Sequence, residues 1–284
     1  MSLLDHVKRC NAFVPADYRP LEISGCRIGA VRQRLAERLA AFPDIFVVST
    51  DRVVVSPRLT DAATRTAALR EVVDRLSAEG TLAKTLGEDY RVVSRWGEEP
   101  FFLIDRSAVS AFGIAAFGVH LNGFVRHGRT VKLWIAKRAP DKAVEPGKLD
   151  NMVAGGQPAG LGLSENLAKE AAEEAGMPRD LALTATPVGA ISYCMAGTWG
   201  LKPDTMFVYD LELPTSFTPT NTDGEVSQFF LMEPEEILDL LRHGQRFKFN
   251  VPLVLIDFFI RHGILSAENE PEYLDLVRGL RTLP

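Results

Sequence analysis

The sequence predicts a mixed α/β fold of the α+β kind, and three observations lead to this prediction. Amphipathic stretches with a helical period alternate with short runs rich in β-branched residues, which are typical of strands. A glycine-rich loop leads into a short acidic helix at residues 155–177, and an apolar stretch at 252–262 predicts a buried helix. With 284 residues, of which 46% are hydrophobic, the chain can form one large domain or two ordinary ones.

Residues 1–110 are predicted to form a small α+β domain. Its predicted elements are helices at 3–10, 28–41 and 60–78 and strand pairs at 45–48 with 53–55 and at 90–94 with 101–104. The segment contains no catalytic constellation. Two roles stay open for it: it covers one end of an active site and narrows the substrate range, or it serves dimerisation and packing.

Residues 111–284 are predicted to form the second domain. The predicted strands are 115–125, 131–137, 187–193, 206–213 and 229–232, with a turn at 127–129, and helices follow at 235–243 and 252–262. The acidic helix is expected to begin at Ser164, a good N-cap residue, and to end at Gly176.

Three glutamates dominate that helix. Glu170, Glu173 and Glu174 stand at positions i, i+3 and i+4, which are neighbours on one helical face. Their charges repel one another, and Lys169 alone cannot offset them. Oxygen ligands at this density suit Mg²⁺ or Mn²⁺, although a solvated acidic face is the simpler alternative for such a triplet on any helix.

The stretch resembles the Nudix box, Gly-x5-Glu-x7-Arg-Glu-U-x-Glu-Glu-x-Gly-U, where U is aliphatic. Leu161 stands where the pattern has its first glutamate, Lys169 replaces the arginine, and Glu165 could partly replace the missing carboxylate. The positions that fall in register are Gly155, Glu170, Ala171, Glu173, Glu174, Gly176 and Met177.

Three flanking segments, at residues 148–158, 165–170 and 223–226, resemble one Nudix subfamily. That subfamily carries an extra N-terminal domain and is similar to the Nudix part of fungal thiamine pyrophosphokinase fusions. The resemblance implies an α/β/α sandwich with a mixed sheet, preceded by the small α+β domain. It also implies a metal-dependent pyrophosphohydrolase for a small organic diphosphate, with thiamine diphosphate or its oxidised analogues as candidate substrates.

The resemblance also implies roles for individual residues. Glu173 and Glu174 would bind the metal ion, Mg²⁺ or Mn²⁺, and Glu170 would be a ligand or the base that activates water. The carbonyl of Gly155 is a further candidate ligand, because glycine lets the main chain approach closely.

Glu225 is the next catalytic candidate, since a downstream glutamate in Nudix proteins often reaches back as a ligand or base. Its segment, residues 222–226, could equally be an ordinary acidic turn, and the role could fall to Asp223 instead.

Substrate contacts are predicted at four residues. Lys137 and Arg138 end a strand beside a flexible loop and could hold phosphates; alternatively, they form a basic strand end that pairs with Asp141 or Glu145. Gln157 lies in the glycine-rich loop before the acidic helix, called the box loop below, and could contact the substrate from there. Trp199 could stack on a flat ring, although most tryptophans simply belong to the core.

The composition limits the remaining functions. A net charge of −5 disfavours non-specific nucleic-acid binding, and no stretch is long enough to span a bilayer. The three cysteines have no paired spacing and the first residues lack a signal peptide, which favours a cytoplasmic protein, with a homodimer left open.

Two other functions are possible on a Nudix-like fold. A non-catalytic sensor of a nucleotide-like ligand would usually have lost box glutamates, and these are present. An isopentenyl diphosphate isomerase would need a catalytic cysteine followed by histidine and proline, which Cys194 lacks.

Overall fold

The computed structural model of the chain describes residues 1–128, 130–142 and 144–282. It contains helices and strands in both halves of the chain. The helices are α1 Leu3–Cys10, α2 Gln33–Leu39, α3 Ala62–Ala78, α4 Leu163–Ala175, α5 Arg179–Ala182, α6 Pro234–Arg242, α7 Val251–Arg261 and α8 Tyr273–Gly279. The strands are β1 Tyr18–Ile23, β2 Cys26–Arg32, β3 Phe46–Val48, β4 Val53–Val55, β5 Asp89–Val92, β6 Phe102–Asp105, β7 Phe117–His127, β8 Thr130–Arg138, β9 Leu149–Asn151, β10 Val153–Gly156, β11 Thr186–Ala196, β12 Leu201–Glu212 and β13 Val226–Met232.

A mixed seven-stranded sheet forms the centre of the second half, in the order β11-β12-β7-β8-β13, with β10 beside β7 and β9 beside β8. β7 and β12 run parallel, and the other pairs are antiparallel. Since successive side chains of a strand point to opposite faces, the sheet can pack helices on both sides. Leu121 packs toward α4, and Phe124 packs toward α7. The predicted α/β/α sandwich is therefore confirmed.

The residues before β7 build a separate apolar cluster. One sheet has the order β2-β1-β4-β3, a second pairs β5 with β6, and α3 packs on β6. The buried cluster of this region runs from Leu21 to Ile114. Helix α1 lies elsewhere: its buried face, which includes Leu3 and Val7, joins the core around α7 and α8. The division of the chain at residue 110 stays a prediction.

Two local predictions were wrong. Residues 26–32 form strand β2 rather than the start of a helix, because Ile28 to Val31 are all buried against β1 and neighbouring segments; that packing outweighs their helical period. The acidic helix begins after Gly162 rather than at Ser164, and the Gly162 N–H donates to Glu165 Oε2 over 3.1 Å.

Other element predictions were confirmed. Gly176 ends α4 in the left-handed conformation, with φ of 61°, where glycine has no Cβ penalty. The apolar helix at 252–262 is α7, and nine of its residues are buried. Of the predicted turn at 127–129, Arg129 lies outside the described residues. Within the described ranges no helix is both long and apolar enough to cross a membrane.

Candidate active site

Helix α4 places its glutamates at the end of strand β10. The small and apolar residues of the helix, Leu167, Ala171 and Ala175, pack against the sheet. This packing brings Glu170 against the backbone of Gly155: a Cβ on Gly155 would lie 2.3 Å from the Glu170 carboxyl carbon. A larger residue at this position would require the Glu170 side chain to move, so the sequence agreement at these two positions reflects a real contact.

Glu174 is the most buried carboxylate of the helix, with 8% of its surface exposed. Its Oε2 accepts one hydrogen bond, from the Ala154 N–H over 2.8 Å. Burial raises the pKa of Glu174 well above the ordinary carboxyl value; the Ala154 hydrogen bond opposes this shift, and the charges of Asp150 and Glu170 add to it. Among the described residues Glu174 forms no ion pair, and the charge of Lys248 offsets its charge only in part.

Glu170 and Glu173 share one cation. Lys169 Nζ lies 3.1 Å from Glu170 Oε1 and 2.9 Å from Glu173 Oε2. Burial raises the pKa of Glu170, and Lys169 partly offsets that effect. Glu173 is about half exposed, and its backbone carbonyl accepts from the Thr222 hydroxyl over 2.6 Å.

The three glutamates are not arranged around a common point. Among the described residues no group of three histidine, cysteine or carboxylate side chains is positioned to hold a metal ion. Glu170 and Glu174 nonetheless bring two largely buried carboxylates within electrostatic range of each other. A divalent cation with oxygen preference matches that donor set, and it would replace Lys169 as the partner of Glu170.

Glu225 lies on the turn between β12 and β13, and this turn packs against the C-terminal end of α4. Thr222 holds the turn to the carbonyl of Glu173, while the Glu225 N–H donates to Asp223 Oδ1 over 2.8 Å. The Glu225 carboxylate is about half exposed and forms an ion pair with Lys142. The structure thus brings the segment to the helix without directing the carboxylate at Glu170 or Glu174.

Arg138 and Lys137 differ in their surroundings. The Arg138 guanidinium donates to Asp150 Oδ2 over 2.8 Å and to the Val144 carbonyl, so its partner is neither Asp141 nor Glu145. Lys248 Nζ lies 3.3 Å from the same Asp150 oxygen. Lys137 is exposed and keeps its ammonium available.

Gln157 lies at the start of the box loop with 7% of its surface exposed. Its Nε2 donates to the Leu161 carbonyl over 2.8 Å, while its Oε1 has no hydrogen-bond partner among the described residues. Trp199 lies in the loop between β11 and β12. Its indole is 45% exposed and, within the described part of the chain, stacks on no other ring.

Two residues beside the site were missed by the sequence reasoning, and both come from the first half of the chain. The Tyr90 hydroxyl would lie 1.7 Å from a Cβ on Gly156, and the Arg106 Cζ would lie 3.8 Å from it. The Arg106 charge acts on Glu170. No motif marks these residues, since they follow ordinary strand patterns; only the folded chain brings them to β10.

A narrow cleft opens between this part of the N-terminal region and the box loop. Trp96 and Tyr90 line one side, and Phe117, Gln157 and Leu161 line the other. The Ala159 N–H donates to the Asp89 carbonyl over 2.7 Å, which joins the box loop to strand β5.

Comparisons with known proteins identify relatives over nearly the whole chain. Two proteins of Arabidopsis thaliana, Nudix hydrolase 24, chloroplastic, and Nudix hydrolase 20, chloroplastic, are each 38% identical to it, over 98% of this chain and 77% of theirs. A family model described as a domain of unknown function, DUF4743, matches residues 2–116. The crystal structure of DR0079 from Deinococcus radiodurans covers 60% of this chain and 97% of its own at 22% identity, with a TM-score of 0.45.

Proposed function

The chain belongs to the Nudix hydrolase family, and we propose that it uses a divalent metal ion to hydrolyse the diphosphate linkage of a small organic diphosphate. The observation that carries this proposal is the contact between Gly155 and Glu170 next to the buried Glu174. Two carboxylates are held there beside a glycine that leaves room for the Glu170 side chain.

The charge balance of the site supports the metal ion. Among the described residues Glu174 accepts one backbone hydrogen bond and forms no ion pair, whereas Glu170 pairs with the half-exposed Lys169 and is also affected by the Arg106 charge. Mg²⁺ or Mn²⁺ would be held by Glu170, Glu173 and Glu174, with the Gly155 carbonyl as a further ligand. When bound, such an ion neutralises phosphate charge and lowers the pKa of a water molecule.

The remaining steps belong to side chains of this chain. Glu170 lies beside the strand end, and burial raises its pKa, so it is suited to accept a proton from the attacking water. Glu225 serves as an alternative base from the turn after β12, once Lys142 releases its carboxylate. Lys137 is available for substrate phosphates, whereas Arg138 is already bound to Asp150 and has a structural role in this proposal.

Thiamine diphosphate and its oxidised analogues are the proposed substrates. The support for this choice is the subfamily resemblance of residues 148–158, 165–170 and 223–226. The rings of Tyr90, Trp96 and Phe117 beside Gln157 suit contact with a flat organic group.

An isomerase on this fold has little support. The one candidate thiol, Cys194, is 4% exposed, and burial raises its pKa to about 11. A thiol in that state is a poor proton donor or nucleophile at neutral pH. A sensor without catalysis remains the competing function for the test below.

The test is release of phosphate and monophosphate from a panel of diphosphates with Mg²⁺ or Mn²⁺. The panel holds thiamine diphosphate, its oxidised analogues, nucleoside diphosphate sugars, dinucleotides and nucleoside triphosphates. Glu170→Gln and Glu174→Gln are expected to lower turnover by about 10²- to 10⁴-fold without unfolding the protein, because each removes a charge that acts directly at the site.

Glu235→Gln is the matched control, since Glu235 is an exposed glutamate on α6. It should leave turnover unchanged. Full activity in the Glu174 and Glu170 variants would contradict the metal-site assignment. Tight binding of one panel member without any hydrolysis would favour the sensor.

Location and assembly complete the proposal. We assign the protein to a reducing compartment such as the cytoplasm, because Cys10, Cys26 and Cys194 are all unpaired. A small diphosphate is the proposed partner, and a homodimer stays a prediction.

A further inference from the structure

Trp96 of the N-terminal region forms an aromatic surface together with Phe117 of β7 and Phe207 of β12. The Trp96 ring lies 4.7 Å from the Phe117 ring and 4.6 Å from the Phe207 ring, measured between centroids. Phe117 and Phe207 are stacked with 21° between their planes. Trp96 nevertheless remains 46% exposed, so part of the indole is free to contact a further flat ring.

The aromatic surface adjoins strand β10, which contains Gly155 and Gly156. Tyr90 lines the same cleft as Trp96, and its hydroxyl lies directly over Gly156, the neighbour of Gly155. Arg106 approaches Gly156 from the same side. Tyr90 and Arg106 therefore lie between the cleft and the part of β10 that contacts Glu170.

One buried polar atom in this cleft lacks a partner. Gln157 Oε1 makes no hydrogen bond to any part of the chain that the structure describes. Since a buried polar group without a partner costs stability, a ligand that supplies a donor to Gln157 is favoured. Gln157 already uses its own Nε2 on the Leu161 carbonyl, so only its acceptor oxygen is left.

Arg106 retains most of its hydrogen-bonding capacity. Its Nη1 donates to Glu88 over 2.9 Å, and none of its other N–H groups is hydrogen-bonded within the described residues. A guanidinium with free N–H groups suits a phosphate. Its position between the cleft and Glu170 matches the place where the diphosphate of a ring-bearing substrate would lie.

We propose that the N-terminal region completes the substrate site: a planar nitrogen heterocycle with an N–H donor stacks on Trp96 and donates to Gln157, and Arg106 binds the adjoining diphosphate. The inference rests on the proposed function, because the diphosphate is placed at the glutamates of α4. It makes Trp96 and Arg106 specificity-determining residues contributed from outside the catalytic sheet.

Binding and turnover are measured separately, with thiamine diphosphate and ADP as ring-bearing probes and isopentenyl diphosphate as the ring-free probe. Equilibrium binding uses Glu170→Gln as background, so that affinity is read without hydrolysis. Trp96→Ala should weaken binding of the ring-bearing probes by about 5- to 150-fold, the range of a lost base–aromatic stack, and leave isopentenyl diphosphate unaffected. Trp96→Phe should restore most of the loss.

Arg106→Gln should weaken binding of ring-bearing and ring-free diphosphates alike. Arg70→Gln is its matched control: Arg70 also lies in the N-terminal region and pairs with an acidic residue over 2.9 Å, as Arg106 does. Arg70→Gln is expected to leave both affinities unchanged. Unfolding temperatures of all variants show whether each protein is intact.

The inference is overturned if Trp96→Ala binds the ring-bearing probes as tightly as the parent, or weakens ring-free binding equally. It is also overturned if Trp199→Ala, rather than Trp96→Ala, removes the preference for a ring. Failure of the proposed function has a different signature: no probe is hydrolysed by the unmutated protein, while the binding differences still decide the role of Trp96.

Discussion

Glu174 and Asp210 are equally buried carboxylates with opposite environments. Each has 8% of its surface exposed. Asp210, on β12, accepts hydrogen bonds from Asn122, from two nitrogens of Arg261 and from His262. Burial alone would raise the pKa of Asp210, but these hydrogen bonds lower it below the ordinary value. Glu174 has one backbone donor, and its pKa is raised well above that value.

The difference separates a carboxylate whose charge the chain balances from one whose charge it balances only in part. The charge of Asp210 is balanced by the chain itself, which fixes α7 against β12. Glu174 forms no ion pair among the described residues, and Lys248 offsets its charge only in part. Perturbed carboxylates of this kind concentrate at functional sites, which agrees with the proposed metal-binding role of Glu174.

Removing Arg261 should have the largest effect on stability. Arg261→Met leaves the nearly buried Asp210 without its arginine and the nearly buried Asp257 with Arg281 alone, so the free energy of unfolding should fall by about 3–5 kcal/mol in a urea titration. Arg126→Met is the control, because Arg126 forms an exposed pair with Glu212, and its loss should cost at most about 1 kcal/mol. If both variants lost the same free energy of unfolding, the ion pairs of Arg261 would contribute no more to stability than an exposed pair.

Acidification should destabilise the protein through His120, which extends the Asp210 network by way of Asn151 and Asn122. Burial, followed by the charge of Lys248, lowers the pKa of His120 to about 4, whereas Asp150 and Asn151 oppose the shift. The unfolded chain therefore takes up a proton below pH 6.5 that the folded chain accepts only near pH 4.

Between those values the stability falls as the pH falls, by up to about 3 kcal/mol from this group alone. His120→Gln should flatten the stability profile from pH 6.5 to 4, measured by urea unfolding at several pH values. An unchanged slope would show that His120 is not the group that titrates.

The smallest expected effect is a gain in stability. Glu174→Gln removes a charge that has no cation beside it but keeps an oxygen that can accept from Ala154, so the metal-free protein should become more stable by about 1–2 kcal/mol at pH 7. Added Mg²⁺ should raise the unfolding temperature of the unmutated protein and not that of this variant. Asp210→Asn should instead lower the free energy of unfolding. If Glu174→Gln lowered it as well, the two buried carboxylates would not differ in the way described.

The sequence predicted the local features well, because they depend on neighbouring residues. Gly176 ends α4 where the pattern indicates, and the spacing of Gly155 and Glu170 corresponds to a contact. Features set by distant packing were not predictable. The partner of Arg138 is Asp150 on β9, and the helical period of residues 28–31 yields to burial in β2.

The approach of the N-terminal region to the site was likewise not predictable from the sequence. Tyr90 and Arg106 approach Gly156 only because two segments distant in sequence pack together. A sequence pattern that consists of acidic residues on one helix does not identify a tyrosine or an arginine from a distant segment.

Helix α1 ties the start of the chain to its end. Since α1 is packed in the core with α7 and α8, residues 18–114 lie between two segments, α1 and β7, that both contribute to that core. Deleting every residue before β7 would therefore remove the N-terminal region and also take α1 away from α7 and α8.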